Sequence, residues 1–297
     1  MSHATFKIWR TLPDGSGTYQ SFETEISDGM VVLDAVHRIQ AEQDAAARHA
    51  TRAFRIWRGA DGTGEFVEYK QDVVEGMVVL DAVHEIQATQ ANDLAVRWNC
   101  KAGKCGSCSA EINGKPKLMC MTRLNSLNLY EPITVEPMRA FPSIKDLVTD
   151  VSWNFRVKQG IKQFKPRPAD AADGTWRVAQ QDVDRVQEFR KCIECFLCQD
   201  VCHVLRDHHK HDEFIGPRFL VYAAALEMHP LDVADRTAQL KEAQGIGYCN
   251  ITKCCTKVCP EGITITDNAI IPLKERVADQ YFDPLRALVR LVRGKKR

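Results

Sequence analysis

The run CIECFLCQDVC, residues 192–202, decides how this chain is read. Its cysteines, Cys192, Cys195, Cys198 and Cys202, stand in the order C-x2-C-x2-C-x3-C. Three thiols spaced two apart wrap one face of an iron-sulfur cubane, and the fourth serves a neighbouring cluster. That neighbour needs ligands from elsewhere, and Cys249, Cys254, Cys255 and Cys259, ending in Cys259-Pro260, supply them. Counted from Cys249, a complete run would need cysteines at 252, 255 and 259, but position 252 is Thr252. The exchange of fourth ligands therefore assigns Cys192, Cys195, Cys198 and Cys259 to a [4Fe-4S] cluster. It leaves Cys202, Cys249 and Cys255 for a [3Fe-4S] cluster, with Cys254 unassigned.

Upstream, Cys100, Cys105 and Cys108 stand as C-x4-C-x2-C with Cys120 beyond them, which is a [2Fe-2S] spacing. All 12 cysteines thus fall into three groups, and three clusters in one chain read as an electron wire. Two other uses compete. Disulfides need an oxidising compartment, and the start MSHATFKIWR has neither an apolar signal segment nor an Arg-Arg pair. Structural zinc also uses four thiolates, but as two separated C-x2-C units rather than three thiols in one run.

Composition narrows the function further. Lys+Arg 40 against Asp+Glu 39 leaves none of the basic excess of a nucleic-acid binder. The 297 residues suit about two domains, and 44% hydrophobic content is ordinary for a packed core. Apolar stretches such as residues 221–226 fall far short of the roughly 18 residues of a membrane span. No Ser/His/Asp arrangement, phosphate loop or flavin-binding glycine fingerprint offers an independent active site.

The N-terminal third repeats itself. FKIWR answers FRIWR, and GMVVLDAVH occurs unchanged at residues 29–37 and 76–84. In the second copy, residues 54–57, an Asp61-Gly62 turn and residues 65–73 predict a hairpin, followed by a helix through Val79, Leu80, Val83 and Ile86. Only this copy runs on into RWNCKAGKCGSC, and short strands are expected at residues 109–112, 117–121 and 133–135. The order is that of a β-grasp, plant-type [2Fe-2S] ferredoxin domain. Past Pro137 no strand alternation is visible, and helices are expected near residues 181–190, 218–228 and 236–244, with residues 165–174 an exposed loop. The fold class is α+β, in three segments. Residues 1–52 are a surplus repeat of the hairpin-helix unit, 53–140 the [2Fe-2S] domain, and 141–297 an all-helical, bacterial-ferredoxin-like domain with the other two clusters.

From about residue 53 onward, CKAGKCGSCSAEINGKP, RKCIECFLC and CNITKCCTKVCPEGI together resemble the iron-sulfur subunit of succinate dehydrogenase and fumarate reductase, in an actinobacterial-type wording. The resemblance implies an FAD-containing flavoprotein partner, membrane-anchor subunits, a quinone, and a peripheral location at the cytoplasmic face of the cell membrane. The dicarboxylate chemistry would then lie on the flavoprotein. Ubiquinone-reducing members have a Pro and two tryptophans soon after the position of Cys202, where this chain has His203, Val204, Leu205, Arg206 and Asp207. They also have a His where Asn250 stands. The quinone-binding residues are therefore unassigned, and analogy favours menaquinone over ubiquinone. A three-cluster subunit of another flavoprotein oxidoreductase would share the same motifs.

Some features stay outside the cluster argument. His208, His209 and His211 read as a solvated turn rather than a metal or proton site. The tail PLRALVRLVRGKKR sets Leu285, Leu288, Val289 and Val292 against Arg286, Arg290, Arg293, Lys295 and Lys296, which suits either a basic amphipathic helix at a headgroup surface or anchor subunit, or a plain solvated helix end.

Overall fold

The structure is a computed structural model that describes residues 2–11, 16–27, 29–47, 50–128 and 131–284. The basic tail from Leu285 lies outside these residues. Both copies of the repeat fold alike. Strands β1 (Ser2–Thr11) and β2 (Gly17–Ile26) form an antiparallel pair followed by helix α1 (Val32–Ala47), and β3 (Ala50–Ala60), β4 (Thr63–Val73) and α2 (Val79–Thr89) repeat the pattern. Trp9 faces Tyr19 across the first hairpin with ring centroids 5.0 Å apart, and Trp57 faces Phe66 across the second at 5.4 Å. At each helix start an aspartate at the third position reaches back to accept a backbone N–H, Val31 to Asp34 at 3.0 Å and Val78 to Asp81 at 3.1 Å. Asp61 and Gly62 both have positive φ, 53° and 80°, as a tight two-residue hairpin turn requires.

What separates the copies is what covers them. Val79 and Leu80 are 0% and 1% exposed, whereas their counterparts Val32 and Leu33 are 70% and 61% exposed. In the second copy Val79 N–H donates to the Thr122 carbonyl at 2.9 Å and Leu80 N–H to that of Met119 at 3.2 Å. Strand β7 (Ile133–Glu136) also pairs parallel to β3. The sheet runs β6-β5-β7-β3-β8-β9, with β4 also on β3, where β5 is Ser109–Ile112, β6 Lys115–Leu118, β8 Ser143–Lys145 and β9 Val148–Thr149. The first hairpin forms a sheet of its own.

Two expectations need correction. Strand structure does not stop near Pro137, because β8 and β9 return to the sheet, Lys145 pairing with Ala60. Strands of three and two residues carry too few positions for an alternating pattern to register. Strand β6 also ends at Leu118 rather than 121, since Cys120 has left the ladder for a turn.

The rest of the chain is helical: α3 (Ser152–Gly160), α4 (Gln180–Gln187), α5 (Leu197–Asp200), α6 (His203–Arg206), α7 (Gly216–Glu227), α8 (Thr237–Glu242), α9 (Cys254–Val258) and α10 (Ile271–Tyr281). The expected helices correspond to α4 with the 3-10 turn Glu188–Lys191 after it, to α7 and to α8. Residues 165–174 are a largely exposed loop. Helices α5, α6 and α9 are one-turn pieces that could not persist alone, so their surroundings must hold them. Two apolar clusters form the core. Cys108, Cys120 and Cys195 belong to the sheet's cluster, and Cys198, Cys202 and Cys255 to the helical one. The second cysteine run therefore sits across the seam between the two halves.

Candidate functional site

The first cysteine group lies in the loop between α2 and β5 and in the turn after β6. The loop bends through positive φ at Lys101, Gly103 and Gly106, which turns backbone donors inward. Cys100 Sγ accepts the N–H groups of Ala102 at 3.4 Å and Lys104 at 3.3 Å. Burial opposes ionisation of Cys105, but hydrogen bonds from Ser107 and Cys100 bring it down to about 7. Burial pushes Cys108 up to about 12, with the Cys120 and Cys105 thiols adding to the effect.

Three thiols of the second group share a pocket with one of the third. Cys192, Cys195, Cys198 and Cys259 line one pocket, together with Ile193, Phe196, Val221, Ile263 and Ile265. Ile263 N–H donates to Cys259 Sγ at 3.4 Å. Burial raises the Cys195 thiol to about 12 and the Cys198 thiol well above its ordinary value. Such thiols stay protonated until a metal supplies positive charge, and they release protons when it binds.

A residue that the cysteine spacing gave no hint of fits the same site. Arg218, at the start of α7, lines the cavity and pairs with Glu194 at 2.6 Å, yet its buried Nε has no partner. A cluster held by four thiolates is an anionic group, and an unpaired guanidinium donor beside it is the match such a group needs.

A second pocket is lined by Cys202, Cys249, Cys254 and Cys255, together with Thr252 and Thr266. His203 and Asn250 line it too, His203 Nε2 lying 3.0 Å from Asn250 Nδ2. Cys254, unassigned on spacing alone, is therefore part of this site's wall. His208 and His209 are exposed, while His211 packs its ring on Trp153 at 4.8 Å.

Successive sites are tied together through the fold. Ser109 Oγ donates to the Cys195 carbonyl at 2.8 Å and to that of Gly106 at 2.9 Å, tying the first cysteine loop to the second. Gly106 lies so close that a Cβ there would come within 2.6 Å of Cys195 Cα. Farther along, α5 packs on α9, and the Cys255 thiol is near enough to raise that of Cys198.

A buried acid pair spans the same seam. Glu111 on β5 receives Arg206 at 2.9 Å and Arg139 at 3.3 Å, and Asp200 on α5 accepts the Ala140 N–H at 2.9 Å. Burial, then the charge of Asp200, pushes Glu111 up to about 7. An acid whose folded pKa exceeds its unfolded one stabilises the fold fully at low pH and loses that stability as pH rises through the folded value. Stability is accordingly expected to fall between about pH 4.5 and 7. Glu111→Gln should flatten that slope and make the fold more stable than the wild type at pH 8, by about 1–3 kcal/mol in unfolding free energy. An unchanged slope would mean that the pair does not titrate.

A [2Fe-2S] ferredoxin-like half joined to a helical half with two enclosed thiol cavities defines an iron-sulfur electron-transfer protein. Residues 52–156 match the family described as a 2Fe-2S iron-sulfur cluster binding domain, and residues 188–263 the family described as a 4Fe-4S dicluster domain. The chain is 35% identical to the fumarate reductase iron-sulfur subunit of Mycobacterium tuberculosis, over 57% of this chain and 69% of the relative. To the succinate dehydrogenase iron-sulfur subunit of Bacillus subtilis it is 30% identical, over 58% and 68%. A chain in the structure "Mycobacterium smegmatis Sdh1 complex in the apo form" superposes with TM-score 0.77 at 58% identity, covering 80% of this chain and 99% of that one. The protein belongs to the iron-sulfur subunits of the succinate dehydrogenase and fumarate reductase family.

Proposed function

We propose that this subunit passes electrons one at a time between the flavin of a flavoprotein partner and a quinone held at membrane-anchor subunits. In this reading Cys100, Cys105, Cys108 and Cys120 hold a [2Fe-2S] cluster. Cys192, Cys195, Cys198 and Cys259 hold a [4Fe-4S] cluster, and Cys202, Cys249 and Cys255 a [3Fe-4S] cluster. Flavin oxidation delivers two electrons and each cluster carries one, so the centres must act in series. The observation that carries the reading is the contact chain from Gly106 and Ser109 to Cys195, and from helix α5, which bears Cys198, to helix α9, which bears Cys255.

The quinone would approach the last site, where His203 and Asn250 face each other at 3.0 Å. A low-potential quinone such as menaquinone fits the actinobacterial wording of the cysteine loops. No helix among the described residues is long and apolar enough to cross a membrane. The anchor subunits would then hold this end of the molecule at the cytoplasmic membrane face. The test is the purified native complex. It should reduce an artificial dye with succinate and show a reduced [2Fe-2S] and an oxidised [3Fe-4S] signal by electron paramagnetic resonance. Stoichiometric zinc without iron, or partners that do not oxidise succinate, would overturn the assignment.

A further inference from the structure

We propose that Cys254 supplies the thiolate that position 252 lacks, so that the last site takes up a fourth iron reversibly. This rests on the reading of that site as a three-iron centre at rest. The two cysteine runs share one backbone design. In the first, Glu194 and Phe196 take positive φ of 55° and 61° just before helix α5. In the second, Ile251 and Lys253 take 62° and 60° just before α9. Left-handed conformations are unfavourable for non-glycine residues, so their repetition at matching positions marks a common scaffold. The correspondence sets Cys192 against Cys249, Cys195 against Thr252, Cys198 against Cys255, and Leu197 against Cys254.

Thr252 thus occupies the corner that Cys195 fills in the other site, and its Oγ1 lies 3.3 Å from Cys254 Sγ. The thiol has reached the place where a ligand is missing. Leu197 does not line its own cavity, whereas Cys254 lines the cavity shared by Cys202, Cys249 and Cys255. On its other side Cys254 borders an open groove of about 1110 Å3 with Met121 and Val258. A fourth iron could enter and leave by that side without disturbing Cys202 and Cys255, which are buried, or the half-buried Cys249.

The step balances without an oxidant. A one-electron-reduced three-iron core is neutral, and one ferrous ion converts it to a doubly positive four-iron core. The Cys254 thiol loses its proton to solvent as the iron-sulfur bond forms. An added reductant, dithionite, supplies the electron that reduces the resting cluster.

The experiment uses the anaerobic native complex, reduced with dithionite and incubated with isotopically labelled ferrous ion. In the wild type the oxidised three-iron signal should fall by more than half after reoxidation, with the label in a four-iron environment by Mössbauer spectroscopy. Cys254→Ala should keep its three-iron signal, and adding Thr252→Cys to that variant should restore conversion. The proposal falls if the wild type takes up no label, or if Cys254→Ala converts as well as the wild type. If the isolated wild type lacks a three-iron signal and Cys254→Ala shows one, the resting assignment fails while Cys254 stands as a ligand. If neither shows it, both fall.

Discussion

Replacing Cys198 with alanine is expected to unfold the helical half as well as to break the electron path. Cys198 is 8% exposed, lies on a helix of four residues, and belongs to the apolar core that also holds Cys202 and Cys255. Helices that short contribute little on their own, so a cluster bound by four thiolates from two distant runs, as proposed, would supply much of what closes this half. Metal binding at structural thiolate sites is worth on the order of 10 kcal/mol, comparable to the whole stability of a domain at about 5–15 kcal/mol. Loss of one corner thiolate should remove most of that term. Iron content should fall by more than the four atoms of one cluster, since Cys202 sits four residues on and Cys259 serves the same cavity. Quinone reduction by succinate should drop at least 100-fold, and limited proteolysis should cut first between α5 and α9. A variant that keeps a normal reduced four-iron signal would remove Cys198 from the ligand set.

How much of this was legible follows from which contacts are local. The cysteine runs carry their meaning in spacing, so the interleaving of Cys259 with Cys192, Cys195 and Cys198 could be read before any coordinates. Helix α2 was legible for a similar reason, its buried residues recurring at a helical period. The repeat shows where such reading stops. GMVVLDAVH is the same nine letters twice, yet Leu80 is 1% exposed and Leu33 61%. The difference comes from residues near 119–124 and from β7, which cover one copy and not the other.

Arg218 and the Glu111–Asp200 pair were illegible for another reason. Arg206 reaches Glu111 across 95 positions, and no local pattern distinguishes a buried ion pair from a solvated charge. Cys254 falls between the two cases. Spacing marked it as surplus, and only the matching left-handed residues of the two loops place it beside the missing corner.

Substituting Gly106 with alanine should separate electron entry from electron exit. Two effects act at this position. With φ at +70°, any L-residue pays roughly 1–2 kcal/mol of backbone strain. In addition the new Cβ would meet Cys195 Cα at 2.6 Å, its Cβ at 2.8 Å and its backbone N at 2.9 Å. None of these is the end of a flexible side chain, so one cysteine loop must move away from the other. The Ser109 bond to the Cys195 carbonyl, at 2.8 Å, should weaken with it. Because electron tunnelling falls exponentially with distance, succinate-to-quinone turnover is expected to drop more than tenfold. Reduction of the [2Fe-2S] cluster from the flavin side should survive, and both cluster signals should remain. Gly114 provides the control. Its φ is +68°, nearly the same, but a Cβ there would meet nothing within 4 Å. Gly114→Ala therefore carries the strain without the collision, and should lower the thermal midpoint by a few degrees while leaving turnover intact. Equal turnover in the two variants would mean that the contact at Cys195 does not set the rate between the first and second clusters.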